Sequence, residues 1–293
     1  MDKNEDMLRL ELLCNLEQFE EAIGYLDSLI ENKYNYSDEA LVFVAGQMNE
    51  NKYALDKAYQ LIRKGLTLFP ENISLKAELC LNLHVRGFQK EAMDLCRQLT
   101  EEQPFSVDLW CMQAELYNDC GDYENALESI NYAISCAQDD DSLMIYHLTF
   151  IKARYLYMNE SYYPAIRCFT ELMTYKEYDK AIVDYYLASC YMHLNDYETA
   201  FNLLNGIIGQ EDKVDEIAFY GDFIYCCLRT DRQIVAIDKL VDAFKLYPNS
   251  ILEYLAFLSQ RNNRQTEADI EQEKIIHSGE LSRNFFKYIT YYN

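Results

Sequence analysis

The chain repeats itself at an interval of 34 residues. Ala58, Ala92 and Ala126 are separated by that interval, and Pro70 and Pro104 each follow one of these alanines by twelve residues. A fixed period of this length is typical of stacked helix-turn-helix units, because a single helical hairpin cannot bury its apolar face alone. The period therefore predicts an all-α chain in which successive hairpins pack on one another.

Seven alanines mark the second helices of seven predicted hairpins. Their spacings are 36, 34, 34, 39, 35 and 36 residues, and they are Ala22, Ala58, Ala92, Ala126, Ala165, Ala200 and Ala236. A small side chain at this point lets the two helices of a hairpin approach closely. The 39-residue interval contains Asp139-Asp140-Asp141, so we expect a short insertion or a lengthened helix there.

The residues around Trp110 resemble one unit of a known repeat family. The tetratricopeptide repeat has the pattern W…G…Y…GDY…A…A, which is matched, with alanine for the first glycine, by Trp110, Ala114, Tyr117, Gly121-Asp122-Tyr123, Ala126 and Ala133. Two further units follow the same frame, through Cys80, Leu83, Gly87, Ala92, Leu99 and Pro104, and through Ala188, Tyr191, Asp196-Tyr197, Ala200 and Ile207. The resemblance implies a right-handed superhelical solenoid of antiparallel helix pairs.

The repeat frame divides residues 1–250 into about seven units. We place them at 3–36, 39–72, 73–106, 107–140, 146–180, 181–214 and 217–250. Residues 251–293 break the period, and we interpret them as capping helices of the same domain, because the end of a repeat stack needs a cover. Their last segment, 281–293, carries five aromatic residues, so a tail in the chain's own groove and a docking element for another subunit stay open as alternatives.

The charge of the chain restricts its partners. Asp and Glu number 49 against 26 Lys and Arg, which gives a net charge of −23 and a pI near 4.5. Phosphate backbones and anionic lipids should be repelled, so we expect neither nucleic acid nor membrane as a partner. The acidity has two explanations, solubility of a long exposed surface and electrostatic attraction of a basic partner.

The sequence has no apolar run of 18 residues and no signal-peptide pattern at its acidic start, so we expect a cytoplasmic protein.

Motifs of catalysis and metal binding are missing from the sequence. The ten cysteines are spread along the chain without a C-x-x-C pair, and the four histidines have no ligand-type spacing. A Gly-rich phosphate loop, G-x-S-x-G and H-E-x-x-H are also absent. We therefore predict that the protein is not an enzyme and has no cofactor or metal site.

The resemblance also implies where a partner would bind. In this family the first helices of the hairpins line a concave face, and the repeat frame places the following residues there: Phe43, Gln47, Glu50, Leu81, His84, Glu115, Asn118, Phe150, Arg154, Tyr157, Tyr185, Ser189, Met192, Tyr225 and Arg229. The N-terminal members are mostly polar and partly acidic, whereas the C-terminal members include aromatics and two arginines. Because aromatics and arginine often anchor interfaces, we favour residues 150–229 as the stronger contact region. For each single residue, plain packing or solvent exposure is the competing explanation.

Three classes of function stay open. The resemblance implies an adaptor or scaffold that binds a peptide or helix of a partner protein, basic or apolar in character, in the concave groove. The alternative is a structural subunit of a larger assembly that docks through its aromatic C-terminal segment, and the third class is a regulator or enzyme with an unrecognised site. The family's clamp for the acidic C-termini of chaperones is missing, and Glu50, Glu115 and Asp119 would repel such a tail.

Overall fold

A computed structural model describes residues 3–137, 142–176 and 178–247. The predicted capping helices, 251–293, lie outside these residues, as do Asp139-Asp140-Asp141. The chain divides between residues 138 and 139 into two compact units. The described part contains fourteen α-helices and no strand, so the predicted all-α fold of helix pairs is confirmed.

The first unit contains four helix pairs. They are α1 (Lys3–Asn15) with α2 (Phe19–Glu31), α3 (Ser37–Glu50) with α4 (Leu55–Leu68), α5 (Ile73–Val85) with α6 (Gln89–Glu102), and α7 (Val107–Asp119) with α8 (Tyr123–Cys136). Each helix packs on the next one along the chain as far as α8, and the first helices of neighbouring pairs also touch, α1 on α3 and α3 on α5. The first helices thus form one continuous row over α1, α3 and α5.

The described part of the second unit contains three helix pairs. They are α9 (Ser142–Met158) with α10 (Tyr162–Leu172), α11 (Lys180–His193) with α12 (Tyr197–Asn205), and α13 (Glu216–Arg229) with α14 (Gln233–Leu246), and a 3-10 turn over Glu211–Lys213 precedes α13. Helix α9 has 17 residues, whereas the helices of the first unit have 13 or 14. This length agrees with one of the two alternatives expected for the 39-residue interval, a lengthened helix, while residues 138–141 before it lie outside the described residues.

The seven alanines of the repeat are all buried, one in each of the second helices α2, α4, α6, α8, α10, α12 and α14. A longer side chain would separate the helices, since interiors are packed without spare volume. This recurrence explains why one small residue sets the period of the sequence.

A left-handed residue forms the turn within six of the seven pairs. Glycine takes this conformation in two of them, Gly87 and Gly121, and the other four turns use Glu17, Glu160, Asn195 and Asp231. Glycine adopts a positive φ without steric cost, and asparagine and aspartate tolerate it better than most residues. The same backbone conformation thus recurs in six turns although the residue type differs.

No helix among the described residues is long and apolar enough to cross a membrane.

Each unit is held together by its own apolar clusters. In the first unit these clusters are centred on Leu26, Leu41 and Ile62, and on Cys96 and Leu116. In the second unit they are centred on Phe169 and Leu187, and on Phe219 and Phe223.

Candidate functional site

The predicted contact residues of the first unit all lie on the first helices α3, α5 and α7. Phe43 and Leu81 are half-buried and pack against the apolar clusters of the unit. Glu115 is exposed to solvent. The first helices of this unit therefore carry both half-buried apolar residues and exposed carboxylates.

A cleft opens where α1 and α3 end. Its volume is about 510 Å³, and it is lined by Cys14, Asn15, Glu17, Phe19, Gln47, Glu50, Asn51, Lys52 and Tyr53. Gln47 and Glu50 are two of the residues that the repeat frame places on the contact face, so the structure brings these two into one concavity. Tyr53 projects into solvent beside them, with 84% of its surface exposed.

The electrostatics of this cleft favour a positive charge. Helices α1 and α3 direct their C-terminal ends toward it, and neither helix has a basic residue in its last turn. A helix C-terminus carries partial negative charge, which adds to the carboxylates of Glu17 and Glu50. Among the lining residues only Lys52 is cationic, and its ammonium group lies 4.9 Å from the ring centroid of Tyr53.

A polar network joins α3 to α5 close to the cleft. The side-chain amide of Asn49 donates to Oε2 of Glu78 at 2.8 Å and to the Glu78 carbonyl at 3.0 Å. Asn82 donates to Oδ1 of Asn49 at 2.7 Å and to the carbonyl of Leu55 at 2.9 Å. Burial raises the pKa of Glu78, the hydrogen bond from Asn49 opposes this effect, and the charge of Glu50 adds to it.

His84 and Asn118 meet at Asp119. Nε2 of His84 lies 2.8 Å from the Asp119 carboxylate, and Nδ1 lies 2.9 Å from Oε1 of Gln89. The Asn118 amide donates to the other carboxylate oxygen of Asp119 at 3.2 Å, while its own Oδ1 is buried and has no hydrogen-bond partner among the described residues. The Asp119 carboxylate thus contacts two of the predicted residues, His84 of α5 and Asn118 of α7.

The predicted aromatic residues of α9 pack against other aromatic rings of the second unit. Phe150 makes edge contacts with Phe169 and Tyr186, at centroid distances of 6.1 and 5.7 Å. Tyr157 contacts Tyr186 at 6.0 Å and His193 at 5.5 Å. Both residues are half-buried, so much of their surface contributes to the fold of the unit.

The remaining predicted residues of the second unit differ in exposure. The Tyr185 hydroxyl donates to Asp222 at 3.1 Å, and buried Ser189 donates to the Tyr185 carbonyl at 3.0 Å. Three others pack within the unit: Met192 against its apolar cluster, Tyr225 in a buried position, and Arg229 with its guanidinium 4.9 Å from the Tyr197 ring centroid. Arg154 is exposed.

The described residues contain no group of three or more His, Cys, Asp or Glu side chains that could hold a metal ion. Burial raises the pKa of the Cys111 thiol to about 11 and that of Cys190 to about 12. Thiols with such pKa values are protonated at neutral pH and are poor nucleophiles.

The repeat pattern of the sequence does not identify several residues that line the cleft. Glu17, Phe19 and Tyr53 belong to turns or to the start of a second helix, whereas the family frame points only to first helices. The packing of α1 beside α3 could have indicated them, because residues that directly follow two adjacent helix ends lie side by side. From the sequence, Asp119 is expected only to add negative charge, whereas the structure shows that it is the partner of His84.

Comparisons with known proteins show the fold. No family model matches the chain, and no curated protein matches it. Among solved structures, PilF of Pseudomonas aeruginosa is 16% identical with a TM-score of 0.60 over 76% of this chain and 97% of that one. Yeast Tom70 is 18% identical with a TM-score of 0.55 over 94% of this chain and 58% of that one. The C-terminal part of a TPR repeat-containing protein from Cytophaga hutchinsonii is 16% identical with a TM-score of 0.52 over 95% of this chain and 98% of that one.

Proposed function

Because this chain has the tetratricopeptide-repeat fold, we propose that it is a non-catalytic cytoplasmic adaptor or scaffold that binds a peptide or helix of a partner protein. The binding surface is the face of the first helices. The fold supports this proposal because repeat stacks present long exposed faces on which several side chains contact one partner. The ten cysteines, all free thiols, suit a reducing compartment.

The cleft at the ends of α1 and α3 is the observation that carries the proposal. It is a concavity on the predicted face, and it contains Gln47 and Glu50. Binding sites are usually concave and combine apolar surface with a few polar groups. Here Phe19 and Tyr53 supply apolar surface, and Glu17 and Glu50 supply negative charge.

The chemistry of the cleft specifies the partner more closely. A lysine or arginine side chain would be attracted by the two carboxylates and by the negative ends of two helices. An apolar residue next to it would cover Tyr53. We therefore expect a partner segment with a basic residue beside an apolar or aromatic one, which agrees with the net charge of −23.

Solved structures of this fold add general support. One chain of the APC/C hetero-tetramer Cut9–Hcn1 resembles this chain with a TM-score of 0.56 at 13% identity, over 92% of this chain and 52% of that one. That likeness concerns the fold alone. The alternative function, a structural subunit that docks through residues 281–293, remains a proposal, because this segment lies outside the described residues.

A pull-down with matched baits distinguishes the two functions. The baits are the tagged full chain, the variant Glu17→Lys/Glu50→Lys, the truncated chain 1–280, and the control Glu31→Lys/Glu101→Lys. The control makes the same change of charge at two exposed residues outside the cleft. Bound proteins from a lysate of the native host are identified by mass spectrometry.

The adaptor function predicts a partner that the full chain, the control and chain 1–280 retain and that the cleft variant loses. A partner lost only on truncation would instead favour the structural subunit. If the cleft variant retains every partner of the full chain, the cleft is not the binding site. Circular dichroism of each bait verifies that the helices are intact.

A further inference from the structure

Helix α1 exposes a row of leucines. Leu8 and Leu12 are 66% and 58% exposed, and Leu16, directly after the helix, is 59% exposed. Residues four apart lie on one side of a helix, so these three side chains form one stripe. The opposite side of α1 carries Leu10 and Cys14, which are buried in the first unit.

The repeat frame shows that this stripe occupies an interface position. Leu8 corresponds to Val44 of α3 and Met112 of α7, which are 0% and 8% exposed. Leu12 corresponds to Met48 and Leu116, which are 0% and 1% exposed. The same two positions are thus buried in α3 and α7 and exposed in α1.

Helix α5 shows what covers these positions. Its residues in the same register are Glu78 and Asn82, and both contact the preceding pair: Glu78 accepts from Asn49 of α3, while Asn82 donates to Asn49 and to the carbonyl of Leu55 at the start of α4. A first helix therefore uses this side to lie on the helices of the preceding pair. For α1, no described helix precedes it.

We propose that the leucine stripe of α1 is a docking site for an amphipathic helix of a partner protein. The helix would take the place that a preceding helix takes on α3, α5 and α7, so the site continues an interface already present in the unit. It is separate from the cleft, whose lining contains none of the three leucines. The inference therefore adds a second surface to the proposed function.

The size of the stripe favours a single helix over a second copy of the chain. A patch of three leucines is on the order of a few hundred Å², whereas a standard interface buries roughly 800 Å² on each partner. An amphipathic helix with apolar residues at positions i, i+4 and i+7 matches such a narrow stripe.

Charge further defines the docking helix. Exposed Glu5 and Glu11 flank the stripe, and the nearby Arg9 lies with its guanidinium 4.2 Å from the Tyr25 ring centroid. Acidic residues beside an apolar seam favour a helix that carries lysine or arginine next to its own apolar residues. The expected partner segment is therefore a basic amphipathic helix.

Site-specific photocrosslinking in a lysate of the native host tests the proposal. A benzophenone amino acid replaces Leu12 in the full chain, and in a matched control it replaces Phe105, an apolar residue that is 85% exposed in the turn before α7. Mass spectrometry then maps the crosslinked segments. The segment specific to position 12 is synthesised as a peptide, and its Kd is measured against the full chain and the variant Leu8→Ser/Leu12→Ser.

We expect the segment captured at position 12 to be a basic peptide with apolar residues at helical spacing. Its affinity should fall about tenfold or more in the double serine variant and stay unchanged in Tyr53→Ser, which removes exposed apolar surface from the cleft without changing its charge and so separates this site from the cleft. Since both leucines are exposed, the serine variant should lower the melting temperature only slightly, through the weaker helix propensity of serine. Crosslinking to a second copy, no product above the Phe105 control, a segment without an apolar stripe, or unchanged affinity would each overturn the proposal.

Discussion

Tyr36 donates a hydrogen bond to the buried carboxylate of Asp6, thirty residues earlier in the chain. Tyr25 donates to the other oxygen of the same carboxylate, which is 1% exposed. The hydrogen bonds from Tyr25 and Tyr36 hold the pKa of Asp6 below its usual value, and the bond to Asp6 raises the pKa of Tyr36 to about 12. One carboxylate thus ties α1 to α2 and to the start of α3.

Replacing Asp6 with asparagine should destabilise the first unit. Asparagine offers one acceptor oxygen in place of two, so one of the two tyrosine hydroxyls loses its acceptor, at a cost of about 1–3 kcal/mol. Urea unfolding at neutral pH measures the loss. The neighbouring exposed variant Glu5→Gln is the control and should unfold like the wild type.

The effect of Asp6 should depend on pH. Because the folded-state pKa of Asp6 is lowered, its stabilising contribution is present above the unfolded-state value of 3.8 and is lost as the pH falls through the folded value. The difference between wild type and Asp6→Asn should therefore be constant from neutral pH to about pH 5 and shrink in more acidic solution. A difference that grows with acidity would contradict this assignment.

Glu78 should show the opposite dependence. Burial raises its pKa above 4.5, so folding is favoured while it is protonated and loses this contribution as the pH rises through the folded-state value. Glu78→Gln keeps an acceptor for Asn49 and removes the charge, and we expect it to melt at a higher temperature than the wild type at pH 7 and at the same temperature near pH 4. The exposed residue Glu71 provides the control, Glu71→Gln. An unchanged melting temperature of Glu78→Gln at pH 7 would contradict the expectation.

Two helical glycines give opposite predictions for the same substitution. A Cβ atom on Gly65 would lie 2.7 Å from Cδ2 of Leu41, whereas a Cβ on Gly24 would meet no atom within 4 Å. Gly65→Ala should destabilise by about 1–3 kcal/mol, since overpacking outweighs helix propensity. Gly24→Ala should stabilise by about 0.5–1 kcal/mol through propensity alone. Thermal unfolding of both variants checks the pair, and equal effects would contradict the close packing of α4 against α3.

The sequence predicts the helix pairs well because the signal is local and repeated. Each buried alanine at a helix crossing, such as Ala92 or Ala126, imposes the same small volume once per period. The cleft and the network around Asp6 could not be predicted in this way. Asp6 resembles any other acidic residue until Tyr25 and Tyr36 fold next to it, and the cleft depends on turn residues, such as Glu17 and Tyr53, that carry no repeat pattern.

The predicted contact region of the second unit can be tested at one arginine without disturbing the fold. Arg154 is exposed, whereas the guanidinium of Arg229 lies over the ring of Tyr197, a contact worth about 0.5–1 kcal/mol. Arg229→Glu should therefore lower the melting temperature, which would obscure any effect on binding, and Arg154→Glu should leave it unchanged. If residues 150–229 contact a partner, Arg154→Glu should weaken the binding of a partner found in the pull-down, measured as Kd with the purified proteins. If this folded variant binds with unchanged affinity, Arg154 does not contact the partner. The cleft of the first unit would then be the proposed site at which charge is recognised.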